Sequence, residues 1–249
     1  MIRPGAIGDV ILSLPALEQA RADYTEFWVP RNMLTLVGFA EQVRAIADTG
    51  LDWIGVVEDH RAGPAFRLLG EFDSIYSWYG ANRPEFREAV RHLPFTFFPA
   101  LPPPPGIPRI VVPAKTRGQR VVVHPFASSP AKRWPMEDFE RVAAHFPDVA
   151  WCAGPAEDLP RAQRFDDLYH LGCWLAEAGA YVGNDSGIAH LAAAVGTPVV
   201  SIFLTTDPAV WAPRGHSDEG RLAGSSDRVS VLVRPHWRDV QAAVHRYIR

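Results

Sequence analysis

Tyr181-Val182-Gly183-Asn184-Asp185-Ser186-Gly187-Ile188-Ala189-His190, running on as Leu191-Ala192-Ala193-Ala194-Val195-Gly196-Thr197-Pro198, is the stretch whose reading decides the fold. It reads as a short strand, a tight polar turn, and a helix of small residues stopped by Gly196 and Pro198. A strand that turns directly into a helix is half of a parallel β/α unit. The turn sets Asp185, Ser186 and the Gly187 amide at a helix N-terminus. Unpaired N–H groups and the helix dipole make such an end attractive to anions, a diphosphate among them. His190 follows one helical turn later, on the side that can face the same ligand. The plainer reading is an Asp/Ser cap on an ordinary β/α unit. A cap alone, however, needs neither Gly-Asn before it nor a histidine one turn on.

Outward from this stretch the pattern repeats. Strands are expected at 120–124, 149–152, 181–182, 199–203 and 229–233, and helices over 135–146, 168–178, 187–195 and 236–248. Over 135–146, Met136, Phe139, Val142, Ala143 and Phe146 fall on one face. In the last helix Trp237, Val240, Val244 and Ile248 do the same. The first half opens on a Gly-rich turn at 4–8 and a helix through Leu12, Leu14, Leu17 and Ala20. Strands at 27–29, 43–47, 74–78 and 95–98 follow, with helices over 34–39 and 84–92, the latter with Pro at its first turn. Only Met1 to Arg3 stand before the opening turn, where a buried strand normally precedes one.

Alternating strands and helices imply parallel sheets with helices on both faces. Between the halves lies Phe98-Pro99-Ala100-Leu101-Pro102-Pro103-Pro104-Pro105-Gly106-Ile107-Pro108, semi-rigid polyproline material that reads as a linker, with a surface loop inside one domain as the alternative. The expected organisation is a domain over 1–98, a linker over 99–108 and a domain over 109–249. Ligands of such sheets bind at the carboxyl ends of the strands, so the cleft belongs where the turns of both halves meet.

Bulk properties narrow the function classes. The 249 residues are 47% hydrophobic and 21% charged, an ordinary globular composition. The net charge of −3 speaks against a general nucleic-acid binder. Cys152 and Cys173 form no CxxC pair and no zinc-like cluster, so two buried, inert thiols in a cytoplasmic protein are expected. No transmembrane-length apolar run and no signal peptide are read.

Four loops that follow strands carry the chemistry. Asp9, after Gly8, can aim a carboxylate into the cleft as a general base for an attacking hydroxyl; a plain helix cap is the alternative. In His124-Pro125-Phe126-Ala127-Ser128-Ser129-Pro130-Ala131-Lys132-Arg133-Trp134-Pro135, the donors of Ser128, Ser129 and Lys132 suit phosphate oxygens. They can offset the charge of a leaving diphosphate without a metal. In Cys152-Ala153-Gly154-Pro155-Ala156-Glu157, the Glu157 carboxylate can accept hydrogen bonds from ribose hydroxyls, or simply sit on the surface. Phe203-Leu204-Thr205-Thr206-Asp207-Pro208 can line a base or phosphates, or merely turn the chain. No Asp-x-Asp pair for a Mg²⁺–diphosphate is present, nor a G-x-x-x-x-G-K-[ST] loop, a G-x-G-x-x-G turn or a G-x-S-x-G elbow.

In order, these motifs resemble glycosyltransferase family 9, the ADP-heptose:lipopolysaccharide heptosyltransferases and their relatives. The resemblance rests on the Pro4-Gly5-Ala6-Ile7-Gly8-Asp9 turn with Pro15-Ala16-Leu17, on the 124–135 loop, and on 183–198. The stretch from Phe203 to Trp211 follows the family's Phe-Gly-Pro-Thr-Asp-Pro pattern with Leu204-Thr205 in place of Gly-Pro. The resemblance implies a GT-B fold: two Rossmann-like domains facing a cleft, with the nucleotide sugar on the C-terminal side and the acceptor on the N-terminal side. It implies inverting transfer with no metal and no cofactor. Residue by residue, Asp9 becomes the general base, with Gly8 beside it. Ser128, Ser129 and Lys132 hold the diphosphate, and Glu157 contacts the ribose. Asp185, Ser186, Gly187 and His190 grip sugar and phosphates. The implied partners are an ADP-sugar donor and a cell-envelope glycan or glycolipid acceptor such as lipopolysaccharide core. A lipid-linked acceptor would bring the protein to the inner membrane leaflet; the aromatic and basic residues of 78–91 can face it, or be ordinary helix surface and core. Two other readings stay open: a non-catalytic GT-B-like module that binds nucleotide sugars or glycans, and a nucleotide-sugar epimerase or hydrolase.

Overall fold

The structure, a computed structural model, describes residues 1–57, 59, 63–101, 103–113, 116–215 and 228–248. The first half runs α1 (Ile7–Gln19), β1 (Glu26–Val29), β2 (Gln42–Ala45), α2 (Ile46–Thr49), α3 (Pro64–Leu69), β3 (Ile75–Ser77), α4 (Pro84–Ala89) and β4 (Phe95–Phe97). β1 pairs with β2 and β3 with β4, both parallel. Ile2 joins the two pairs, bridging Trp28 on one side and Ser77 on the other. Its amide donates to the Tyr76 carbonyl at 2.8 Å, and its carbonyl accepts from the Trp78 amide at 3.0 Å. Arg3 donates to the Trp28 carbonyl at 2.9 Å. The missing first strand is therefore a one-residue bridge at the centre of the sheet, and it leads straight into the turn before α1.

The second half runs β5 (Val121–His124), α5 (Met136–Ala143), β6 (Val149–Trp151), α6 (Leu168–Ala176), β7 (Ala180–Asn184), α7 (Gly187–Ala194), β8 (Val199–Phe203), α8 (Pro208–Trp211), β9 (Val229–Val233) and α9 (Trp237–His245). Its sheet has the order β6-β5-β7-β8-β9, every pair parallel. Chain direction across the sheet reverses between β5 and β7, and this is where open α/β sheets bind ligands. The first half has the same kind of reversal around Ile2, with β1 on one side and β3 on the other.

Local departures have local causes. In place of the helix expected over 34–39 there is a 3-10 helix, Arg31–Leu36; Val37 is already extended (φ −98°, ψ 99°) ahead of Gly38. The strand expected to reach 47 stops at Ala45, where α2 begins, and α2 is closed by Gly50 at φ 78°. α3 and α8, both short and both with Pro in the first turn, had no expected counterpart. Cys152 is buried as expected, but Cys173 is half-buried.

The core is shared. One apolar cluster takes Val10, Ile11, Leu14 and Leu17 of α1 together with Leu171 and Leu175 of α6 and Ala189 and Leu191 to Ala194 of α7. Ile110, just past the proline run, belongs to it and donates its amide to the Ala194 carbonyl at 3.0 Å. The proline run itself lies against both halves: a Cβ on Gly106 would come within 2.6 Å of Pro15, and Arg214 donates to the Pro104 and Gly106 carbonyls. Among the described residues no helix is long and apolar enough to cross a membrane.

Candidate functional site

Both reversal points open onto one cleft of about 1010 Å³. Gly8, Asp9, Ser128, Lys132, Glu157, Asp185, Ser186, Gly187 and His190 all line it. Ser129 does not line it; its hydroxyl accepts the Ala131 amide at 3.3 Å and starts the 3-10 turn Pro130–Lys132, which carries Lys132.

α1 and α7 start side by side because glycine lets them. A Cβ on Gly187 would lie 2.5 Å from the Ile7 Cβ, and one on Gly8 would lie 2.9 Å from Cδ2 of His190. Real Cβ atoms do not approach this closely, so a side chain at either place would push the helices apart. Two helix N-termini, one from each half, thus bring unpaired amides and positive dipole ends to the same wall.

Asp9 is the third residue of α1. Its Oδ2 accepts the Ala6 amide at 2.8 Å, the returning half of a capping box; Ala6 has no side-chain oxygen to supply the other half. Gly5 makes room at φ 116°, since a Cβ there would meet Oδ2 at 2.8 Å. Oδ1 lies 3.8 Å from Nη2 of Arg3. The carboxylate thus caps its own helix while lining the cleft.

Opposite it is a small charged cluster. Lys132 Nζ donates to Asp185 Oδ2 at 2.7 Å, and the Thr206 hydroxyl donates to the same oxygen at 2.6 Å. Asp185 is buried while Lys132 keeps an exposed flank. Asn184, fully buried, holds the loop that carries Lys132: its Oδ1 accepts the Trp134 amide at 2.9 Å and its Nδ2 donates to the Pro125 carbonyl at 2.8 Å. That explains an asparagine at the end of β7, where a strand residue would ordinarily be apolar.

Glu157 forms a second cluster with His124. The His124 Nε2 lies 3.1 Å from Glu157 Oε2, and the Gly154 amide donates to the same oxygen at 2.6 Å. Burial pushes the Glu157 carboxyl up, but the His124 hydrogen bond and charge, the Gly154 amide and Arg133 together hold it below its ordinary value. It stays ionised and able to accept hydroxyl donors. His190 is moved the other way: burial pushes its imidazole down to about 4, against the pull of Asp185. At neutral pH it offers one N–H and one lone pair and carries no charge.

Sequence reasoning did not assign His124 and Thr206. Each had a signal: His124 is the last residue of a strand, and Thr206 lies in a loop just after one. Arg31, Asn32 and Thr35, on the 3-10 helix of the first half, also line the cleft, and their sequence carried no signal at all.

Residues 109–228 match the profile of glycosyltransferase family 9 (heptosyltransferase). Lipopolysaccharide heptosyltransferase 3 of Escherichia coli is 46% identical over 43 residues, which are 17% of this chain and 13% of that protein. The chain superposes on E. coli ADP-heptose lipopolysaccharide heptosyltransferase II with a TM-score of 0.66 at 16% identity, covering 99% of this chain and 97% of the other. On E. coli heptosyltransferase WaaC with ADP the TM-score is 0.62 at 18% identity, with the same two coverages, 99% and 97%. At these identities the superpositions establish the fold: α/β with parallel sheets, as expected from the sequence.

Proposed function

We propose, from the match of residues 109–228 to glycosyltransferase family 9, that this chain is a glycosyltransferase of that kind, moving a sugar from an ADP-sugar to a cell-envelope glycan or glycolipid, with inversion and without a metal. The observation that carries this reading is the meeting, in one cleft, of a carboxylate at the start of α1 with a lysine and a helix N-terminus from the other half. We take 1–98 as the acceptor side and 109–249 as the donor side of a GT-B arrangement.

In this reading Asp9 accepts the proton of the acceptor hydroxyl as that oxygen attacks the anomeric carbon. The bond from that carbon to the diphosphate oxygen breaks on the opposite face, and ADP leaves with the electron pair. Lys132 and the amides that open α7 offset the departing charge. Lys132 already pairs with Asp185, so the diphosphate either shares it or draws it away. Glu157, ionised and held by His124, accepts the ribose hydroxyls. ADP is carried over as the nucleotide because WaaC is seen with ADP and with ADP-2-deoxy-2-fluoro heptose. Heptose and a lipopolysaccharide acceptor are carried over from the same relatives; a lipopolysaccharide-core acceptor met at the inner leaflet is part of the proposal.

A thermal-shift panel of ADP, UDP, GDP, CDP and TDP, each with and without EDTA, tests it first. ADP at about a hundred times its Kd is expected to stabilise by about 2.7 kcal/mol, with EDTA making no difference. A shift with another nucleotide changes the donor. A shift abolished by EDTA removes the metal-free claim. ADP release from ADP-heptose with no acceptor present would make the protein a hydrolase.

A further inference from the structure

We infer that Arg3 is a positioning residue for Asp9, an electrostatic clamp that orients the carboxylate while leaving the lone pairs of Oδ1 to the acceptor hydroxyl. The inference rests on the reading of Asp9 as the base.

Arg3 is 3% exposed, just past the Ile2 bridge, with its amide bonded to the Trp28 carbonyl. Its Nε donates to the Ser13 hydroxyl at 2.7 Å and its Nη1 to the Pro4 carbonyl at 3.0 Å. The guanidinium lies over the Trp78 ring, 5.4 Å from the centroid. Nη2 is buried and has no hydrogen-bond partner. The acid it faces is Asp9, whose Oδ1 is 3.8 Å away. A buried guanidinium is costly unless a charge compensates it, and an orphaned donor adds to the cost. Burial lowers the affinity of Arg3 for its proton, and Asp9 acts against that.

The placement suits a clamp. At 3.8 Å the pair attracts through charge but forms no hydrogen bond. The other oxygen of Asp9 is tied to the Ala6 amide. Ser13 closes the frame: it accepts from Arg3 and donates to the Asp9 carbonyl at 2.8 Å. Oδ1 is thus aimed without being used, and a base awaiting a proton needs that.

The test is a cycle of four proteins: wild type, Arg3→Met, Asp9→Asn and the double variant. The first readout needs no activity. Asp9→Asn is expected to lower the unfolding midpoint, because it strands the buried guanidinium; adding Arg3→Met is expected to restore it. Midpoint changes that simply add would overturn the coupling. The second readout is turnover of ADP-heptose with heptose-deficient lipopolysaccharide as acceptor. Arg3→Met is expected to lower kcat about ten- to a hundredfold, the scale of a misplaced catalytic group, with KM for ADP-heptose within about twofold. Arg3→Lys should recover most of the loss, and the double variant should be no slower than Asp9→Asn. An Arg3→Met protein with wild-type kcat beside an inactive Asp9→Asn overturns the positioning role alone. Wild-type turnover in Asp9→Asn overturns the base, and the clamp's catalytic role with it.

Discussion

Asp9 holds the Ala6 amide with one oxygen and faces Arg3 with the other, so asparagine can keep the cap and lose the proton acceptor. Asp9→Asn is therefore expected to lower kcat about 10²- to 10⁴-fold while the ADP-induced rise in unfolding midpoint stays as in wild type; equal turnover in the two proteins would remove Asp9 as base. His190 makes a pH prediction. Its folded pKa, about 4, lies below the ordinary 6.5, so the unfolded chain takes up this proton first as pH falls. Stability from this group is complete above about pH 6.5 and is lost between there and about pH 4. His190→Gln should flatten that part of the stability–pH curve, and an unchanged slope in urea titrations would show that His190 is not the source. Cys152 is buried and its thiol is pushed up, mainly by burial and further by Glu157. Iodoacetamide should label half-buried Cys173 first, and peptide mapping that finds Cys152 modified in the native protein would contradict its burial.

Where α1 meets α7, glycine is a packing requirement. Gly187→Ala drives a methyl into Ile7 at 2.5 Å. It should cost about 1–3 kcal/mol, like other overpacked contacts. Gly38→Ala is the control, since a Cβ there meets nothing within 4 Å. Equal denaturation midpoints in the two variants would mean that the helix starts can separate freely. At this scale the amphipathic helices were legible: Phe139, Val142 and Phe146 of the α5 region are buried, as their spacing required. The elements misread or missed were short. A six-residue α3 and a four-residue α8 offer too little sequence for a period to register. The 3-10 helix Arg31–Leu36 is only six residues long and ends where Val37 is extended ahead of Gly38.

α1 of the first half and α6 and α7 of the second bury the same apolar cluster, so the two sheets are expected to unfold as one. Far-UV circular dichroism and the fluorescence of the eight tryptophans, which lie in both halves, should follow one unfolding transition. Two resolved transitions would make the halves independent. What the sequence by itself determined is local: parallel β/α units, the turns that open α1 and α7, and the polar residues placed just after strands. These depend on periodicity and on turn chemistry within a few residues. The tertiary structure alone decided which of those turns face each other. Ile2 takes the central place only because it bridges Trp28 on one side and Ser77 on the other, and a single residue has no period to read. Lys132 meets Asp185 across 53 residues of chain, and Thr206 reaches the same oxygen. Strand order across the sheets produced those contacts, and strand order is chosen by the packing of the whole core, which no window of sequence contains.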